Sequence, residues 1–141
     1  MDRVLILVVL GVMAVGVSLA LQRRRPEPPS APSYRAPRQL DRDDFAEPET
    51  PLLVAVFTSA TCNSCASAWS TVGEVADGLA GVVMQRIEIQ DDPRGLHERY
   101  KIDGVPSTLV ADAEGVVHES FFGPFEAEKL ATALAEREQQ G

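Results

Sequence analysis

A chain of 141 residues with 13 basic and 21 acidic side chains has room for one domain with a real core and a further N-terminal segment. From Glu49 onward 15 acidic residues stand against 6 basic ones, a net charge of −9. This excludes the basic footprint that nucleic acid demands and repels anionic surfaces. Two cysteines are too few for a disulfide-stapled scaffold, so the pair reads as reactive rather than structural.

After Met1-Asp2-Arg3 the chain runs from Val4 to Leu21 without a charge. As a helix this stretch would reach about 27 Å, just enough for a bilayer core. Two readings compete. A cleavable signal peptide would be cut near Ser18-Leu19-Ala20; a retained anchor would stay. The start offers only Arg3 and the amino terminus, whereas Arg23-Arg24-Arg25 follow directly, which favours the anchor. Arg35 and Arg38 add to the same side. The positive-inside rule therefore predicts a single-pass membrane protein with its remainder in the cytoplasm; an extracytoplasmic domain is the alternative. Residues 22–38 form a basic, proline-rich linker, since the prolines between Pro26 and Pro37 forbid a helix and favour an extended spacer.

The domain expected over 39–141 begins with the acidic stretch Gln39–Glu49, anchored by Leu40 and Phe45, where Asp41 is suited to cap a short helical turn. Leu52–Thr58 is a short continuous apolar run and reads as a fully buried strand. Cys62-Asn63-Ser64-Cys65 follows. The next segment places Ala66, Trp69, Val72, Val75, Ala76 and Leu79 on one helical face and ends at Gly78 or Gly81. Trp69 reads as a core anchor.

Val82–Ile89 is the next strand, broken by Asp91-Asp92-Pro93. A short helix is expected over Arg94–Tyr100, with Pro93 in its first turn, Leu96 and Tyr100 inward and His97 solvated. Gly104 permits a tight turn, and Pro106, which cannot donate to a ladder, suits a strand start. The strand from there to Val110 turns at Ala111–Gly115 and returns as Val116–Phe122. Glu126–Gln139 is a last amphipathic helix with Leu130, Ala133 and Leu134 inward. The order strand, helix, strand, helix, strand, strand, helix predicts an α/β fold: a crossover between parallel strands, then a hairpin, in a mixed sheet flanked by helices.

Cys-x-x-Cys between a strand and a helix is a thiol–disulfide redox signature. Its spacing at the start of a helix brings both sulfurs onto the first turn, where free N–H groups and the dipole favour the Cys62 thiolate. A zinc site would need further ligands, and neither His97 nor His118 has usual ligand spacing, so no metal is expected. Cys62 and Cys65 packed as small apolar residues is the other bland alternative.

From Gln39 to Gly141 the chain resembles the thioredoxins. Phe57–Cys65 is similar to their active-site strand and loop, Gly104-Val105-Pro106-Ser107-Thr108 to their cis-proline segment, and Gly123 to the glycine after their last strand. The resemblance implies a thioredoxin-like fold and disulfide exchange without a cofactor. Cys62 would be the nucleophile and Cys65 the resolving cysteine, with Val105, Pro106 and Thr61 against the substrate. It also implies a disulfide-containing protein substrate and an upstream dithiol donor. Thr61 and Thr58 stand where tryptophan is usual, Asn63-Ser64 replaces Gly-Pro, and Val56 falls where thioredoxins bury an acid. A thioredoxin-fold binding, scaffold or redox-sensor module without turnover therefore stays open beside the enzyme.

Overall fold

The computed structural model describes residues 34–140, preceded by Gly11, Met13 and Gly16. The anchor expected over Val4–Leu21 lies outside the described residues apart from those three, which are helical. The linker expected over 22–38 lies outside them up to residue 33. Among the described residues no helix is long and apolar enough to cross a membrane.

Strand β1, Leu52–Thr58, is buried at every position. The unbroken apolar run allows this, because both faces of the strand are covered. It pairs in parallel with β2, Val82–Glu88, and antiparallel with β3, Ser107–Asp112. A tight turn then brings back β4, Val117–Phe122, antiparallel to β3. The four strands lie in the order β2-β1-β3-β4. Helix α1, Cys65–Ala76, provides the crossover between the parallel strands; α2, Leu96–Arg99, joins β2 to β3; α3, Ala127–Glu138, closes the chain.

Alternate residues of a strand face opposite sides of the sheet. Leu52, Val54 and Val56 of β1 and Val110 of β3 therefore meet Val72 and Ala76 of α1 and Leu130 and Leu134 of α3 on one face. Leu53, Ala55, Phe57, Leu109 and Ala111 meet Leu96, Tyr100, Leu40 and Phe45 on the other. Trp69 packs half-buried against the first cluster, as its helical position requires.

Asp41 accepts a hydrogen bond from the Asp43 N–H and caps a 3-10 turn, Arg42–Asp44. Arg42 is 6% exposed, and its guanidinium donates to the carbonyls of Thr50 at 2.9 Å, Asp112 at 2.7 Å and Glu47 at 3.2 Å. One planar fork thus ties the turn to the loop before β1 and to the end of β3.

Four expectations are corrected. Helix α2 is shorter than Arg94–Tyr100 because Gly95 takes a left-handed backbone, φ 64°, leaving Pro93 outside the helix. Strand β2 stops at Glu88; Ile89 opens a 3-10 turn and is 51% exposed. Leu79 falls beyond the end of α1 and is 46% exposed. His97 is not solvated. The short helix presses it onto the sheet, 6% exposed, with its ring perpendicular to that of Phe57 at 5.0 Å between centroids. Its Nδ1 lies 3.0 Å from Asp92 Oδ2. Burial acts to raise the Asp92 carboxyl, but the N–H groups of His97 and Leu96 and the His97 ring together outweigh it and hold Asp92 below its ordinary pKa.

Candidate functional site

The register of the sheet assembles the site. Ser107 pairs with Phe57 on one side and Phe122 on the other, so three strand ends coincide. The loop after β1, the residues before β3 and those after β4 all emerge there. The Gly123 N–H donates to the Pro106 carbonyl at 2.9 Å and fastens two of these segments together.

Within the first loop the chain turns twice before the helix. The Cys62 N–H donates to the Ser59 carbonyl at 3.1 Å, and the Cys65 N–H to the Cys62 carbonyl at 3.4 Å. Gln90, in the 3-10 turn after β2, braces the loop by accepting from the Ala60 N–H at 3.0 Å and donating to Ser59 Oγ at 3.1 Å. Helix α1 begins at Cys65, so Cys62 stands just ahead of its first turn rather than within it.

Cys62 and Cys65 are joined as a disulfide, with Cα atoms 5.5 Å apart. Cys65 is buried at 1% exposure, beneath the partly exposed Cys62. Ser64 Oγ lies 3.8 Å from Cys62 Sγ. No acidic side chain occupies the first turn of α1, and Ser64 makes no side-chain capping bond. The positive end of the helix is therefore left to act on the sulfurs and would favour a thiolate on reduction. Thr61 is exposed beside them, its hydroxyl 3.1 Å from Ser59 Oγ.

The Val105–Pro106 peptide bond is cis, and Val105 is half-buried while Pro106 is buried. Thus the Cys62–Cys65 loop, Thr61, Val105 and Pro106 share one end of the sheet. Among the described residues no cluster of His, Cys, Asp and Glu is set to hold a metal ion.

Three neighbours carried no signal in the sequence. Arg86 Nε donates to the buried Thr58 hydroxyl at 3.1 Å, and its NH2 group meets Glu88 Oε2 at 2.9 Å. A cation inside a strand pattern was the only trace of that pair. The third is Tyr34, a lone aromatic after a run of prolines, whose ring stacks on Phe122 at 5.4 Å. It also explains Gly104. Besides the bend of the chain there, a Cβ on this residue would overlap Tyr34 Cε1.

No family sequence model matches the chain, and no curated protein matches it by sequence. Solved structures do match. The germline-specific thioredoxin Deadhead from Drosophila melanogaster is 26% identical, with a TM-score of 0.52 over 63% of this chain and 83% of that one. Chloroplastic thioredoxin z is 18% identical, with a TM-score of 0.56 over 64% of this chain and 80% of its own. Fasciola hepatica thioredoxin is 19% identical, with a TM-score of 0.55 over 64% and 85%. In fold the chain is similar to the thioredoxins, and it carries a disulfide at Cys-x-x-Cys spacing.

Proposed function

We propose that the protein is a thiol–disulfide oxidoreductase that reduces disulfides in a protein substrate. The observation that carries this reading is the Cys62–Cys65 disulfide at the mouth of α1, one sulfur partly exposed and the other buried behind it. In the dithiol form the Cys62 thiolate attacks one sulfur of the substrate disulfide. The substrate S–S bond breaks, a mixed disulfide forms, and the departing thiolate takes up a proton. Cys65, once deprotonated, attacks Cys62 Sγ, re-forms the Cys62–Cys65 bond and releases the second substrate thiol. Two electrons pass to the substrate, and an upstream dithiol donor restores Cys62 and Cys65. Thr61, Val105 and Pro106 flank the reacting sulfurs and bear on the substrate chain.

The direct test is reduction of an insulin-type disulfide with dithiothreitol as donor. Turnover above the dithiothreitol background, abolished in Cys62→Ser, is the expected result; a Cys62→Ser protein of undiminished activity would remove the mechanism. A module that binds or senses without turnover is the competing reading. It draws on Val56, an apolar residue in the place where the family resemblance puts an acid. No catalysed turnover by the wild-type protein would favour it.

The proposal extends to a membrane tether through Val4–Leu21 with the dithiol on the cytoplasmic side. Its support is the uncharged run and the arginines that follow it. Carbonate-resistant membrane sedimentation and a thiol-labelling assay with an impermeant reagent test the tether and the side.

A further inference from the structure

The segment ahead of the first 3-10 turn runs along the outer edge of β4. The Leu40 N–H donates to the Gly115 carbonyl at 2.8 Å and the Val117 N–H to the Arg38 carbonyl at 3.0 Å, around an antiparallel bridge between Gln39 and Val116. Followed back toward the N-terminus in the same direction, the segment arrives at the far end of β4. There Tyr34 lies over Phe122, ring planes 23° apart. That is the end of the sheet where the Cys62–Cys65 loop emerges, because Phe122 and Phe57 both pair with Ser107.

Tyr34, Gly104, Val105, Pro106, Phe122 and Gly123 enclose a hollow of about 200 Å³. Small-molecule sites usually run to about 300–1,000 Å³, so this one suits a single side chain rather than a free ligand. None of the six carries a charge. Tyr34 is 42% and Phe122 37% exposed, which leaves aromatic surface open to an arriving group. A carboxylate or ammonium seated there would lose water without gaining a partner, whereas an aliphatic or aromatic group would gain contact and stacking.

We propose that Tyr34 is a specificity-determining residue, forming one wall of a pocket that takes an apolar side chain next to a disulfide cysteine of the protein substrate. The inference rests on the oxidoreductase reading and deepens it. The residue lies outside the strands and helices of the fold, in the stretch that joins it to the N-terminal segment. Gly104 belongs to the same device, since any side chain there would drive the Tyr34 ring out of place.

The experiment uses the full chain, reduced and then freed of reductant, in single-turnover reactions with two synthetic peptides. Each peptide holds one disulfide. One has phenylalanine beside a cysteine and the other has glutamate. A single apolar pocket is worth on the order of 10-fold or more in discrimination. Wild-type protein should reduce the phenylalanine peptide faster by about that factor. Tyr34→Ala and, independently, Gly104→Ala should bring the ratio of the two rate constants to within about 3-fold, while Tyr34→Phe keeps it. A ratio unchanged in Tyr34→Ala overturns the proposal. So does a gain on both peptides alike, which would mean that the ring covers the site instead of lining it. Hydroxyethyl disulfide, which has no side chain to seat, separates disulfide reduction from side-chain selection. If the wild type fails to reduce even this, the oxidoreductase reading falls and the pocket with it. If it reduces hydroxyethyl disulfide but does not distinguish the peptides, only the pocket falls.

Discussion

Val56 and Arg86 are partners in the parallel register of β1 and β2, so a guanidinium rises from the sheet directly beside an aliphatic side chain. With no carboxylate at that step, Arg86 turns along the strands to the Thr58 hydroxyl and to Glu88. The cation is satisfied locally, on the face of the sheet that α1 covers.

Placing an acid at this step tests what that arrangement does. Val56→Asp places a carboxyl in a fully buried position. It should cost on the order of several kcal/mol at neutral pH, offset in part by the neighbouring Arg86. Burial raises such a group, so the penalty should shrink as pH falls and the carboxyl becomes neutral. Urea midpoints at pH 7 and pH 5 read this directly. If proton withdrawal from Cys65 limits exchange, single-turnover reduction should also rise, on the order of tenfold or more.

Removing the buried sulfur should stall the reaction halfway. Cys65→Ser leaves Cys62 to form a mixed disulfide that nothing within the chain resolves. Non-reducing electrophoresis after incubation with a disulfide substrate should show a covalent adduct that dithiothreitol releases. Its absence in Cys62→Ser under the same conditions identifies the attacking sulfur.

The Cys62–Cys65 bond closes a very short loop, at a sequence separation of 3. Chain-entropy arguments then give the oxidised form an advantage of only about 2 kcal/mol over the dithiol. Parallel urea titrations with and without dithiothreitol should differ by that amount. A difference above about 5 kcal/mol would mean that reduction loosens more than the loop.

Arg42 is expected to matter more than any exposed charge. Arg42→Met leaves the carbonyls of Thr50, Asp112 and Glu47 without their donor and should cost about 2–4 kcal/mol. Arg42→Lys should recover less than half, because a compact ammonium cannot span three carbonyls as a fork does. Chemical denaturation measures both.

Acid should unfold the domain in a defined window. Burial acts to raise both Asp92 and Asp112. In Asp92 it is outweighed by the His97 and Leu96 N–H groups and the His97 ring; in Asp112 by the His118 ring and the N–H groups of Val116 and Glu114. Both carboxyls therefore lie below their ordinary pKa in the folded state. A depressed acid contributes its full stability above the unfolded value, about 3.9, and loses it as pH falls through the folded value. Urea midpoints should change little from these groups between pH 7 and 5 and drop below about pH 4. Asp92→Asn and Asp112→Asn should each flatten that drop.

The elements written most plainly in the sequence are those whose own residues decide them. Leu52–Phe57 is apolar without a break, and every position is buried; Leu130, Ala133 and Leu134 recur at helical spacing, and all are buried. The two cysteines were legible for the same reason, since their spacing and their place between strand and helix are local facts. His97 was not, because its burial depends on Asp92 being folded back under it by a loop. Tyr34 was invisible in another way. Nothing in a proline-rich neighbourhood says that the chain will run beside β4 as far as Phe122, and only the bridge at Gln39 establishes it. Contacts made at a distance along the chain left no local pattern to read.

The pairing of Arg38 and Leu40 with the start of β4 has a bearing on how copies of the protein treat one another. An outermost strand with vacant amides is a template on which identical chains can polymerise. Here the first rungs of that ladder are already taken from within. A chain shortened past Leu40 would lose this internal cap, and ribbons of copies joined margin to margin would become open to it.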